Sequence, residues 1–268
     1  MKKIFVISLF IVTCSFVYKT FCQQSNDVQQ SVELYAFRGG HSLINDKCFI
    51  HDAYSCSDTI NLSVTSFLIK HPQGNLIWDT GMPFNERQIK EQIEAAGINS
   101  LNEIDFLAFS HWHYDHTGTA NLFRHSTIIS QRNEYEYAFS NEASIGFGMK
   151  PETYNELINN PTILLDGKLD VFGDDSVLIY RVGGHTMGSQ ILQLKLKDKT
   201  IILSGDIYHF KEQRTYKRVP KFNYNYLETV KAMDFIENLL KKTPNSELWI
   251  THDPEQMEQL IYSPKYYK

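Results

Sequence analysis

Cysteine is scarce in this 268-residue sequence: there are four, and Cys14 and Cys22 fall within its first 22 residues. The other two, Cys48 and Cys56 in "DKCFIHDAYSC", match no common zinc spacing, which argues against a cysteine-based metal site. Apolar runs of membrane-spanning length are missing beyond the N-terminus, so no internal transmembrane helix is expected. Basic clusters are missing too, and 31 acids outnumber 26 lysines and arginines for a formal charge of −5. Such a surface repels phosphate backbones, which disfavours nucleic acid as a partner. Without repeats, low-complexity tracts or an obvious linker, the chain from residue 23 to 268 reads as one domain.

The N-terminus has the form of an export signal. Lys2 and Lys3 precede the apolar run "IFVISLFIVTCSFV" from Ile4 to Val17, short for a membrane span and suited to a signal-peptide core. Residues 1–22 are therefore expected to be removed, with Gln23 as the new terminus and a periplasmic or secreted product. An uncleaved anchor is the alternative. Loss of Lys2, Lys3 and Lys19 with no acids leaves 23 bases against 31 acids, a formal charge of −8. In an oxidising compartment Cys48 and Cys56 are expected to pair as a disulfide, free thiols being the alternative.

Short β-branched runs bounded by turn residues mark strands: "VELYAF", "LSVTSFLIK", "NLIWDTG", "FLAFSH", "TIISQ", "VLIYRVGG", "ILQLKLK", "TIILSGD" and "LWITHD". Between them, "NERQIKEQIEAAG" reads as a helix closed by Gly97. "YLETVKAMDFIENLLKK" reads as another, with Leu227, Val230, Phe235, Ile236, Leu239 and Leu240 largely on one face. Strands predominate and helices flank them, which points to a layered α/β sandwich. The stretch from Phe139 to Asn160 is less readable, partly helical and partly loop; without histidine or cysteine it is given no metal role.

Chemistry concentrates at the ends of the strands. Asp79, His111, His185, Asp206 and His252 each follow an apolar run and precede a turn, where a rigid strand fixes a group and a loop exposes it. The segment "HWHYDH" packs His111, His113, Asp115 and His116 into six positions. Imidazoles and carboxylates are costly to bury unless paired or bound to metal. Two histidines two apart can project the same way from extended chain, and the aspartate and histidine after them can face a neighbouring position. That arrangement suits two metal ions roughly 3.5–4 Å apart, with His185, Asp206 and His252 as further ligands. Asp79 suits orienting a ligand imidazole, or simply forming the turn before Thr80–Gly81. His41, His51, His71, His125 and His209 read as ordinary hydrogen-bonded histidines.

"HWHYDH" is similar to the HxHxDH signature of the metallo-β-lactamase superfamily, and "GGH", "SGD" and "THD" resemble its later motifs in the same order, from about residue 32 to the C-terminus. The resemblance implies an αββα sandwich with a dinuclear site, usually zinc, at one edge of its sheets. It implies His111, His113 and His185 on the first metal, Asp115, His116 and His252 on the second, and Asp206 bridging. Within the superfamily, "FLIKHPQGNLIWDTG", "IISQRNEYEYA" and "THDPEQMEQLIYSPKYY" look most like the N-acyl-homoserine lactonases. That likeness implies a lactone substrate, opened by metal-bound hydroxide, with Asp115 passing a proton to the leaving oxygen. Two departures stand out. "GHTMGS" places Met187 and Ser189 where the family commonly reads GHTPGH. The family's catalytic tyrosine usually lies three residues past the bridging aspartate, whereas Tyr208 lies two past Asp206. If Tyr208 reaches, it is the oxyanion donor, and the pocket beside Tyr114 and Tyr208 would hold an acyl chain. Glyoxalase II-type thioesterases share the ligand types and remain an alternative, as does a non-catalytic metal-binding protein.

Overall fold

A computed structural model describes residues 31–268; the expected export signal over residues 1–22, with Cys14 and Cys22, lies outside the described residues. Strands β1 (Glu33–Ile44), β2 (Ile60–His71), β3 (Gly74–Trp78), β4 (Phe106–Ala108), β5 (Thr127–Gln131) and β6 (Thr162–Leu165) form one sheet in that order. The second sheet runs β11-β10-β9-β8-β7 and comprises β7 (Lys168–Asp170), β8 (Val177–Arg181), β9 (Gln190–Lys195), β10 (Thr200–Leu203) and β11 (Ser246–Trp249). Strands β3 to β6 pair in parallel, as do β10 and β11, and the remaining pairs are antiparallel.

Alternation along the strands, broken in β1 by a bulge between Arg38 and Gly40, sorts side chains between inward and outward cores. Phe67, Ile69, Leu76 and Trp78 point inward to meet Leu192, Leu194, Ile201 and Leu203 of the other sheet. Leu68 and Ile77 point outward under Ile89 and Ile93 of α1 (Glu86–Ala95). Ile191 and Ile202 point outward under Ala232, Met233 and Ile236 of α5 (Tyr226–Lys242). Because both faces of both sheets are covered, these strands read as continuous apolar runs rather than as polar–apolar alternation. The layers are helix, sheet, sheet, helix: the expected αββα sandwich. Between α1 and α5 lie α2 (Tyr114–Thr117), α3 (Arg132–Ala138) and α4 (Lys211–Tyr216), and α6 (Pro254–Glu258) follows β11.

Helix α1 ends as anticipated. Gly97 takes φ 82° and donates its N–H to Glu94, while the Ile98 N–H reaches back to Ile93, a Schellman closure. The inward stripe of α5 differs from the expected one. Thr229, Ala232, Met233 and Ile236 are its buried residues, whereas Leu227 is 67% exposed. Bulk misled the assignment: the small Thr229 and Ala232 let the helix approach the sheet, so the stripe rotates toward them. Strands β6 and β7 were not anticipated. They are short edge strands joined through Asp166–Gly167, where the chain passes from one sheet to the other.

Candidate metal centre

The seven acid and imidazole side chains singled out in the sequence converge at one edge of the sandwich, carried on loops that leave the strand ends. His111, His113, Asp115 and His116 follow β4; His185 follows β8, Asp206 follows β10, and His252 follows β11. All except Asp115 are buried, and Asp115 is half-buried.

Asp206 organises them, since its two carboxylate oxygens face two different groups. Oδ2 lies 3.5 Å from His185 Nε2 and 3.8 Å from His111 Nε2. Oδ1 lies 3.1 Å from both His116 Nε2 and His252 Nε2. His113 turns Nδ1 toward His185 Nε2 at 3.1 Å, and Asp115 Oδ2 lies 3.5 Å from His252 Nε2. Two donor clusters result, His111–His113–His185 and Asp115–His116–His252, each gathered within 4.8 Å.

Hydrogen bonds behind the donors fix which nitrogen faces inward. Asp79 accepts from the Ser110 backbone N–H at 2.7 Å and lies 3.0 Å from His116 Nδ1, leaving Nε2 for the site. This is the orienting contact anticipated for Asp79. His252 Nδ1 lies 2.6 Å from the Ser63 carbonyl, which likewise leaves Nε2 inward. Glu134 ties two ligand loops together, accepting from Trp112 N–H at 3.3 Å and from Gly188 N–H at 2.7 Å. Ser189, one of the departures from the family pattern, accepts from Thr186 N–H at 2.8 Å and so closes the turn after His185. Gly148 lies flat over the His113 ring; a Cβ there would come within 2.6 Å of it.

Electrostatics separate the clusters. Burial holds His111 and His185 well below the usual imidazole range and lowers His113 to about 4, so all three are neutral at pH 7. Burial also works against charge on His116 and His252. There the surrounding carboxylates prevail, with Asp206 foremost, and raise both. Asp206 stays ionised despite burial because His252, His116, His209 and His111 surround it. Among buried polar atoms left without a hydrogen-bond partner are His111 Nε2 and Asp206 Oδ1. Both aim at the cluster centres, and such orphaned inward donors fit divalent cations. Nitrogen and oxygen ligands without thiolate suit zinc and its neighbours.

Two tyrosine assignments require correction. Tyr208 turns away from the site into the core beneath α5, its hydroxyl 3.4 Å from Glu237 Oε1 and 3.5 Å from the Met233 carbonyl. The reason is parity: successive residues of extended chain point to opposite sides, so Tyr208 faces the helix and His209 faces the metal centre. His209 was assigned no role, yet its Nε2 lies 3.3 Å from Asp206 Oδ2, its ring stacks on His252 at 5.5 Å, and it is fully enclosed. The signal that could have found it was its position three residues past Asp206. Tyr114 does not form an acyl pocket either; Lys150 sits over its ring at 4.2 Å. The apolar cavity beside the site, about 300 Å³, is walled by Phe147, Met149, Met187 and Phe222 and reaches His113 and His185. Two of those walls come from the stretch between Phe139 and Asn160.

Comparison with known proteins agrees with this geometry. The profile of the Metallo-beta-lactamase superfamily matches residues 60–243. The N-acyl homoserine lactonase AttM of Rhizobium johnstonii is 25% identical over 88% of this chain and 98% of its own length. AiiA of Bacillus thuringiensis subsp. kurstaki, also an N-acyl homoserine lactonase, is 24% identical over 87% and 98%. A solved N-acyl homoserine lactone hydrolase, with the product N-hexanoyl-L-homoserine at its catalytic metal centre, superposes with a TM-score of 0.75 at 22% identity. That likeness covers 89% of this chain and 100% of the other.

Proposed function

The chain belongs to the metallo-β-lactamase superfamily, and from that premise we propose that it opens the lactone ring of N-acyl-homoserine lactones using two zinc ions. The observation that carries the reading is the Asp206 carboxylate, with one oxygen toward each of two histidine clusters, beside an apolar cavity. Similarity to AttM and AiiA over nearly their full lengths supports the choice of substrate.

His111, His113 and His185 would hold one ion, Asp115, His116 and His252 the other, and Asp206 both. Bound there, such ions lower the pKa of water from 15.7 toward about 7 and polarise a carbonyl. The protein's own groups do the rest. The cavity takes the acyl chain and aims the ring at the centre. His209, beside Asp206 and between the His185 and His252 rings, is placed to hydrogen-bond the oxygen on which charge develops, the role first given to Tyr208. Asp115, the most open of the donors at 16% side-chain exposure, takes up a proton from the attacking water and returns it to the ring oxygen as the ester bond breaks. The product is an acyl-homoserine.

Export is part of the same proposal. The Cys48–Cys56 disulfide supports an oxidising compartment, and among the described residues no helix is long and apolar enough to cross a membrane. The deciding experiment is a substrate panel against metal-analysed protein: homoserine lactones of several chain lengths, a glutathione thioester and a β-lactam. Faster thioester than lactone hydrolysis would reassign the substrate.

A further inference from the structure

Residues 45–59 leave the base of the β1–β2 hairpin, where Ile44 pairs with Ile60, and return after a loop closed by the Cys48–Cys56 disulfide. The loop's inner face is anchored. Ile50 and Tyr54 pack with Leu62 and Phe210, the Ile50 carbonyl accepts from the Lys221 N–H at 2.9 Å, and Lys221 Nζ lies 2.6 Å from Asp52. Phe49, the residue after the first cysteine, stays out of that core and is 47% exposed. Its ring stacks on Phe222 at 5.2 Å and lies 6.3 Å from Phe147. Those two rings stand edge-on to the metal-centre imidazoles, Phe147 on His113 at 5.9 Å and Phe222 on His185 at 6.0 Å.

Three aromatic rings from three separate chain segments thus form a path from solvent to the histidines. Partly exposed aromatic rings gathered at a cavity mouth are unfavourable in water unless something apolar covers them. We propose that the disulfide-closed loop is a fixed outer wall of the acyl-chain cavity and that Phe49 sets a preference for long acyl chains. This rests on the lactonase reading and adds to it the chain class and the residue that selects it. The disulfide restricts where Phe49 can go, so the wall is in place before substrate arrives; a pre-positioned wall costs less ordering on binding than a loop that must fold over its ligand.

The test measures KM and kcat for butanoyl-, hexanoyl- and decanoyl-homoserine lactone with the wild-type, Phe49→Ala, Phe49→Leu and Cys48→Ser/Cys56→Ser proteins, with thermal melting and metal content for each. In parallel, calorimetry measures binding of the corresponding acyl-homoserines, which are not turned over, to the same metal-loaded proteins. Each buried methylene is worth about fourfold in affinity, so wild-type KM should fall steeply with chain length. Phe49→Ala, freed of contact with two methylenes, should lower the decanoyl-over-butanoyl selectivity roughly fifteenfold, through KM rather than kcat and with metal content unchanged. Phe49→Leu should restore most of it, and the double cysteine variant should lose part. A Phe49→Ala protein whose selectivity is unchanged, or that weakens every chain equally, overturns the inference. If the wild-type opens no homoserine lactone, the lactonase reading falls instead. The calorimetric chain-length series then decides on the wall alone: a decanoyl preference lost in Phe49→Ala upholds it, and a flat wild-type series rejects it.

Discussion

His209 Nε2 stands 3.3 Å from Asp206 Oδ2, while the neighbouring Tyr208 hydroxyl reaches Glu237 on the far side of the sheet. One residue of register decides which of the two can meet a substrate. Tyr208→Phe should therefore leave kcat within about twofold, because the hydroxyl serves only the core. His209→Phe should lower kcat by roughly 10²–10³, the usual cost of losing one oxyanion donor, with metal content retained. Steady-state kinetics on both variants, alongside elemental analysis, checks the pair; a fully active His209→Phe enzyme would return the residue to a structural role.

Asp206 would meet metal directly and Asp79 acts through His116, so their variants should differ accordingly. Asp206→Ala removes an oxygen from each cluster and should leave the purified protein with little of either ion. Asp79→Ala frees His116 to rotate, which should weaken the second ion by about 10–100-fold, and it disturbs the first less, through Ser110, which loses its Asp79 acceptor and lies 3.1 Å from His111 Nδ1. Zinc counted per chain after dialysis against a weak chelator distinguishes the two.

The two clusters should fill at different pH. His111, His113 and His185 are already neutral, His113 down to about pH 4, so no proton competes with the first ion near pH 6. His116 and His252 are raised, so the second ion must displace protons and binds better as pH rises. Adding zinc to stripped protein should give one tightly held ion per chain at pH 6 and two at pH 8. Equal loading at both values would show that the carboxylates around His116 do not hold a proton there.

Glu134 is buried between the loops that carry His113 and His185. Glu134→Gln keeps one acceptor oxygen but turns an amide N–H₂ toward a backbone N–H, at a cost of about 1–3 kcal/mol for the unsatisfied group. The variant should melt earlier and release the first ion more readily than the second. Differential scanning calorimetry with and without zinc measures both.

On α5, Ile236→Ala should destabilise by about 2–5 kcal/mol, whereas Leu227→Ala, at a 67% exposed position, should fall within about 0.5 kcal/mol of the parent. Urea unfolding of the two variants tests the corrected helix face.

The sandwich and the ligand-bearing strand ends were legible because they depend on short-range pattern: apolar runs fully covered on both faces, each ending in a polar residue before a turn. Strand β5 emerged with the bounds of its motif, and α5 with the length of its run. What escaped depends on three-dimensional parity and on small residues. Nothing local tells whether Tyr208 or His209 faces the site, since the turn at Gly205–Ile207 sets the phase. Thr229 and Ala232 look unremarkable in a helix until the sheet they approach is present. Phe147 and Met149 sit in a stretch with no periodicity, and only their assembly against His113 gives them a wall to form.

His111, His113, Asp115 and His116 hang from the first sheet, and His185, Asp206 and His252 from the second. An ion held among them would therefore be a clasp between two halves of the chain, added to their shared oily interior and to hydrogen bonds across it such as Gly188 to Glu134 and His252 to Ser63. Cohesion of the sandwich then becomes a function of metal supply: at a free concentration one hundred times the dissociation constant, a single ion adds about 2.7 kcal/mol to the folded state. In metal-poor surroundings the protein would forfeit durability together with catalysis, so scarcity would shorten the lifetime of the molecule as well as silence it.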